Sequence, residues 1–133
     1  FVPTYTVGSD AVNAGSSAEI RYDKVGNADD VSKFLAQFGW QTDEKPEEMG
    51  TVTIPDTFDK VFAAYNELQK EQGLNLSKYR GKEVTRYTFR VTNYEGYDGK
   101  VLANVLVYRN RVIGGDICSA DASGFIHGFA ARE

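Results

Sequence analysis

The sequence predicts an α+β domain in which two amphipathic helices pack on one face of an antiparallel sheet of three to five strands that ends in a β-meander. Three observations carry that prediction. Two segments, near 27–39 and 56–73, repeat apolar residues at helical spacing between capping and stop residues. A third, GKEVTRYTFRVTNY (81–94), alternates with a period of two. Two further strand-like runs follow it, joined by turn residues with no helix between them.

Taken in order, residues 1–17 are rich in Gly, Ser, Ala and Asn and show no sustained periodicity. Residues 1–26 therefore read as an arm or linker with a candidate strand at 18–25, and a single domain is expected over 27–133. Asn27 caps the first helix, and Asp29 and Asp30 complement the positive end of its dipole. Val31, Phe34, Leu35 and Phe38 form its apolar face, Gly39 stops it, and Trp40 is expected to fold back on the last turn. QTDEKPEEMG (41–50) reads as a charged loop, and TVTIP (51–55) as a short strand ended by Pro55. The second helix is expected over 56–72, capped by Asp56, with Asp59 in the first turn and Gly73 closing it. Its predicted buried stripe is Phe58, Val61, Phe62, Tyr65 and Leu68, while Lys60, Asn66, Glu67, Lys70 and Glu71 face water.

In the alternating strand, Thr85, Tyr87, Phe89 and Val91 fall on one side, and Val84, Arg86, Thr88, Arg90 and Thr92 on a mostly solvated other. Asp98-Gly99 suits the turn that follows. VLANVLVY (101–108) is apolar on both faces except at Asn104, as expected of a central strand covered on each side. A tight Arg109-Asn110 turn leads into RVIGGDICS, where Gly114-Gly115 suggests a bulge or a close backbone approach.

Composition bounds the function classes. A chain of 133 residues with 41% apolar and 26% charged residues can bury a self-sufficient core. A net charge of -4 argues against nucleic acid, which needs a concentrated basic face. One cysteine excludes an internal disulfide framework, and no apolar run reaches the ~20 residues that span a bilayer. The chain starts at Phe1 instead of Met, so removal of an amino-terminal signal or anchor is expected.

The only cysteine and only histidine, Cys118 and His127, lie close together near the C-terminus. They are the candidate nucleophile and base, with Asp116 or Asp121 to orient the imidazole. Burial of Cys118 at the end of a core strand is the commoner role for such a residue. Asp116, Cys118, Asp121 and His127 lack the spacing of a zinc site and the oxygen-rich loop calcium needs, so no metal is predicted. Phe125, Ile126 and Phe129 imply that the tail is docked as a latch, with Gly124 and Gly128 allowing close approach around His127. Lys82, Arg86 and Arg90 share one strand face, either as an anion-binding stripe or as protection of a solvated face. Tyr79, Tyr94 and Tyr97 bracket that strand as a binding surface or as corner packing. Glu47 and Glu48 are adjacent and do not converge on one substrate. The candidate binding set is thus Arg86, Arg90, Tyr94, Tyr97 and His127.

QFGW (37–40), the run at 54–94 (IPDTFDKVFAAYNELQKEQGLNLSKYRGKEVTRYTFRVTNY), VIGGDICS (112–119) and GFIHGF (124–129) together resemble the family catalogued as domain of unknown function 4830. The likeness covers about 27–129 and leaves out the amino-terminal arm. It implies a small extracytoplasmic protein of a Gram-positive anaerobe, often behind a membrane anchor, and it supplies no activity or ligand. The expectation is a non-enzymatic module, tethered in its full-length form, that binds a protein or cell-envelope ligand without a cofactor. The alternative is a thiol-dependent enzyme or redox protein using Cys118 and His127.

Overall fold

The computed structural model describes residues 20–121 and 124–130. Among them the chain forms helix α1 (Ala28–Ala36), strand β1 (Glu48–Thr53), helix α2 (Lys60–Glu71) and a 3₁₀ turn at Leu76–Tyr79. Strands β2 (Glu83–Val91), β3 (Val101–Tyr108), β4 (Arg111–Ser119) and β5 (Ile126–His127) follow. The strands make one antiparallel sheet in the order β1-β2-β3-β4-β5, so the expected α+β class and the closing meander hold.

α1 forms where its capping residues place it. The Asn27 side chain accepts the Asp30 N–H at 2.9 Å, satisfying one of the free donors of the first turn. Val31, Phe34 and Leu35 are buried, and Gly39 (φ 94°) ends the run in a conformation that costs glycine little. Trp40 turns back, donating its N–H to Leu35 O.

Two clusters form the core, and the pleat assigns them to opposite faces. Tyr87, Phe89 and Val91 of β2 pack with Val101, Ala103, Val105 and Val107 of β3, Val112 and Ile117 of β4, and the α1 residues Val31, Phe34 and Leu35. Val84, Leu106 and Ile113 pack instead with Ile54 and Leu76, and Phe58, Phe62 and Tyr65 lie against them. Successive side chains alternate across a strand, so Val84 and Tyr87 leave β2 on opposite sides. The helices therefore sandwich the sheet, and the expected one-sided arrangement is corrected. The cause is an apolar patch at Val84, Leu106 and Ile113 that also needs cover, so the second face of β2 is not mostly solvated: Val84 and Thr88 are buried there.

α2 differs from expectation in start and in register. Asp59, not Asp56, is the N-cap, accepting the Phe62 N–H at 2.8 Å, and Phe58 stays outside the helix. Val61 is 80% exposed instead of buried, whereas Asn66 and Gln69 are the two buried positions of the helix. Phe62 and Tyr65 do face the sheet, but apolar periodicity cannot register the polar pair buried beside them. β1 also begins earlier than predicted, at Glu48, and the β2–β3 connection takes its positive φ at Gly96 (85°) instead of Asp98 or Gly99.

The Arg109-Asn110 turn has φ of 49° and 65°, the mirror-image turn that matches strand twist. One residue further the register shifts: Leu106 opposes Gly114 but Val107 opposes Val112, leaving Ile113 as the extra residue of a bulge. Gly115 is the close approach, since a Cβ there would lie 2.2 Å from Asn104 O and 2.4 Å from Phe129 Cζ. The segment assigned to the arm also joins the domain from Ile20 onward. Val25 is buried, Asp23 bridges to Arg111, and Val112 N–H donates to Tyr22 O at 2.8 Å. Residues 1–19 lie outside the described part.

Candidate functional site

Cys118 and His127 sit on neighbouring strands, but register separates their chemistry. Cys118 opposes Ile126, and Ile117 opposes His127. Cross-strand partners share a face, so the thiol leaves the sheet on the α2 side and the imidazole on the α1 side. The candidate nucleophile and base are not assembled.

On the α2 side a polar network fills the sheet centre. Thr88, Asn104 and Asp116 are successive cross-strand partners on β2, β3 and β4. Thr88 Oγ1 donates to Asn104 Oδ1 at 2.7 Å. Asn104 Nδ2 in turn reaches Asp116 Oδ1 at 3.1 Å and Cys118 Sγ at 3.5 Å. Tyr65 of α2 closes the set from above, donating its hydroxyl to Asp116 Oδ2 at 2.6 Å. Asp116 is 3% exposed. Burial raises its pKa above the usual carboxylate range, although hydrogen bonds from Tyr65, Asn104 and Cys118 pull the other way. Burial and the adjacent Asp116 likewise push the Tyr65 hydroxyl well up and the Cys118 thiol up to about 11. An activated thiolate needs the opposite environment, one that stabilises negative charge.

His127 belongs to an aromatic corner on the α1 side. Its Nδ1 lies 2.7 Å from Gly128 O, an acceptor only, so Nδ1 carries a hydrogen, and Nε2 is paired with Tyr94 OH at 2.8 Å. Tyr94 stacks between Trp40 (centroids 5.4 Å apart) and Phe125 (4.9 Å), and Tyr97 meets Phe125 edge-on. Trp40 Nε1 donates to Phe129 O, and Phe129 itself is fully buried. This is the expected latch for Phe125 and Phe129, but Ile126, on the opposite face of β5, is 54% exposed instead of docked.

Two glutamines tie the α2 end to β4, and one of them, Gln72, also holds the latch. Gln72 Oε1 accepts the Phe129 N–H at 2.7 Å while its Nε2 donates to Gly115 O at 3.2 Å. Gln69 Oε1 accepts the Gly115 N–H at 2.9 Å. The two amide side chains take the place of a neighbouring strand at this point of β4. Asn66 does similar work next door, accepting the Leu76 N–H at 2.7 Å.

The five candidate binding residues thus divide. Tyr94, Tyr97 and His127 come together at the aromatic corner, while Arg86 and Arg90 lie across the sheet on the α2 face. Arg86 pairs with Glu48 at 3.3 Å, and Glu47 pairs with Lys100, so the adjacent carboxylates serve separate cations. Tyr79 packs edge-on to Tyr108 at the far end of the α2 face, away from Tyr94 and Tyr97. Asp116, Cys118, Asp121 and His127 do not gather, and among the described residues no group of three acidic, Cys or His side chains has metal-binding geometry. Sequence reasoning flagged Asn104 as the one polar residue of an apolar strand but missed Tyr65, Thr88, Gln69 and Gln72, whose roles come from elements far apart in the chain.

α2 covers only part of its face. Beyond it, Arg90, Leu102, Cys118 and Ile126 form one cross-strand row, with Leu102 and Cys118 half-buried and Ile126 54% exposed. Among the described residues no helix is long and apolar enough to cross a membrane. A family model described as "Domain of unknown function (DUF4830)" matches residues 34–117, more than half of the chain. Neither the curated proteins nor the solved structures yield a match.

Proposed function

The chain belongs to the family of the domain of unknown function DUF4830, and from that premise we propose that it is a non-enzymatic extracytoplasmic binding module, tethered to the membrane in its full-length form. The observation that carries the reading is the partly exposed row Arg90–Leu102–Cys118–Ile126. It sets an apolar strip beside a cation on one sheet face, a surface suited to a protein or envelope ligand that presents an apolar group next to an anion. Two features weigh against the thiol-enzyme alternative. Cys118 and His127 leave the sheet on opposite faces, and the thiol lies beside a buried carboxyl instead of a cation. Export and tethering are supported by the resemblance of the sequence motifs.

A photo-crosslinking side chain at Ile126, displayed by the producing cell, tests the binding surface. A discrete adduct at Ile126 that is absent with the same side chain at Lys78 is expected. No adduct at Ile126, or equal labelling at both positions, sinks the assignment. Protease digestion of intact cells tests the compartment: the domain is expected to be degraded without lysis, and protection would reverse the location.

A further inference from the structure

The two sides of the sheet differ in how the last long strand is flanked. The outer side of β4 is sealed along its length, by Tyr22–Val25 at one end, the Gln69 and Gln72 amides at Gly115, and β5 at the other. β1 has no such cover among the described residues: Glu48, Met49, Gly50, Thr51 and Thr53 are exposed, Met49 at 64%.

Register shows which backbone groups face outward. Ile54 N–H donates to Lys82 O at 2.9 Å next to the Thr53–Glu83 pair. In an antiparallel ladder this makes Val52–Val84, Gly50–Arg86 and Glu48–Thr88 the pairs that exchange hydrogen bonds. The N–H and C=O groups of Met49, Thr51 and Thr53 therefore point away from the sheet. Edges are usually protected by Lys, Pro or a bulge. Residues 49–53 contain no charge and no Pro, and their pairing with β2 runs without a shift. The flanking charge, Glu48, is already matched by Arg86.

We propose that β1 is an association edge whose occupant is a second copy of this chain, joined by two-fold antiparallel β1–β1 pairing centred on Thr51. In this register Thr51 opposes its own counterpart and Met49 opposes Thr53, so every outward-facing residue of one strand meets an outward-facing residue of the other. The neighbouring registers are poorer. Moving the centre to Gly50 sets Thr53 against Glu47, whose N–H is already donated to Thr88 O at 2.7 Å. Moving it to Val52 sets Met49 against Pro55, which has no N–H. Centring on Thr51 brings no like charges together, since Glu48 falls opposite Ile54. It also lays the exposed Met49 side chain against Thr53 of the other copy, on the α1 face. The inference goes beyond the ligand surface on the α2 face and stands or falls apart from it.

Cysteine trapping in the full chain tests the pairing, in a Cys118→Ser background so that no other thiol is present. Thr51→Cys is expected to oxidise to a covalent dimer, and Met49→Cys mixed with Thr53→Cys to a mixed one. Met49→Cys alone is expected to give roughly tenfold less, because its two thiols would lie about 13 Å apart at 3.3 Å per residue. Sedimentation of the unmodified chain over a concentration series is expected to show a monomer–dimer equilibrium. Thr51→Pro should abolish it with the circular dichroism unchanged, because the N–H it removes faces outward. A chain that stays monomeric at every concentration, or a dimer indifferent to Thr51→Pro, overturns the proposal. So does a Thr51→Cys chain that crosslinks internally to a cysteine placed within residues 1–19, which would make the chain's own amino-terminal segment the occupant.

Discussion

The hydroxyl of Tyr65 donates to Asp116 across 2.6 Å, joining α2 to the centre of the sheet through a carboxyl that is 3% exposed. Asn104 donates to the other oxygen, and no salt bridge reaches this carboxyl among the described residues. An acid so placed is held by donors alone, and burial outweighs them. Its titration is therefore expected to bear on the attachment of α2.

The sign of the resulting pH dependence follows from linkage. Asp116 has a raised pKa in the folded state, so the folded chain holds the proton more tightly than the unfolded chain. Its contribution is most favourable below the unfolded value of about 3.9 and is lost as pH rises through the folded value, at up to about 1.4 kcal/mol per pH unit. Asp116→Asn removes that titration, and its amide can donate to the Tyr65 oxygen. Urea unfolding at a series of pH values above 4 is expected to show a flatter profile for Asp116→Asn than for the parent. Superimposable profiles would mean that Asp116 does not titrate in this range.

Tyr65→Phe should act in the opposite direction. It leaves Asp116 buried with one donor fewer, a loss of about 1–3 kcal/mol when the carboxyl is ionised. The deficit is expected to shrink as the buffer is acidified and Asp116 takes up its proton. A deficit that stays constant with pH would assign the role of Tyr65 to packing alone.

The thiol of Cys118, pushed up to about 11, should be a poor nucleophile at neutral pH. Its alkylation rate is expected to be below that of the unfolded chain and to keep rising through pH 9 without a plateau. His127→Ala should leave that rate unchanged, because the imidazole lies on the other side of the sheet. A plateau near neutral pH that disappears in His127→Ala would restore the enzyme reading.

The rotation of α2 gives a paired test. Val61→Lys places a charge on a side chain that is already 80% exposed and is expected to change stability by less than about 0.5 kcal/mol. Gln69→Leu strands the Gly115 N–H and is expected to cost about 1–3 kcal/mol by thermal or urea unfolding. The reverse ranking would mean that the apolar stripe, with Val61 inward, faces the sheet.

Local chemistry was enough for much of this molecule. Asn27 as a cap, Gly39 and Gly73 as stops, and Arg109-Asn110 as a turn are each decided by neighbours a few residues away, so they are legible in sequence. The same holds for the alternation of β2 and the apolar run of β3, because a strand's two faces are written at adjacent positions. Tertiary structure alone decided which face each helix covers. The patch that attracts α2 is assembled from Val84, Leu106 and Ile113 on three strands, and no single segment displays it. It also decided that Asn66, Gln69 and Gln72 turn inward, because the groups that satisfy them, at Leu76, Gly115 and Phe129, come into reach only once the chain has folded. The fate of the only cysteine and only histidine was settled the same way. Nine residues apart in sequence, they were placed on opposite sides of a sheet by a single step of strand register.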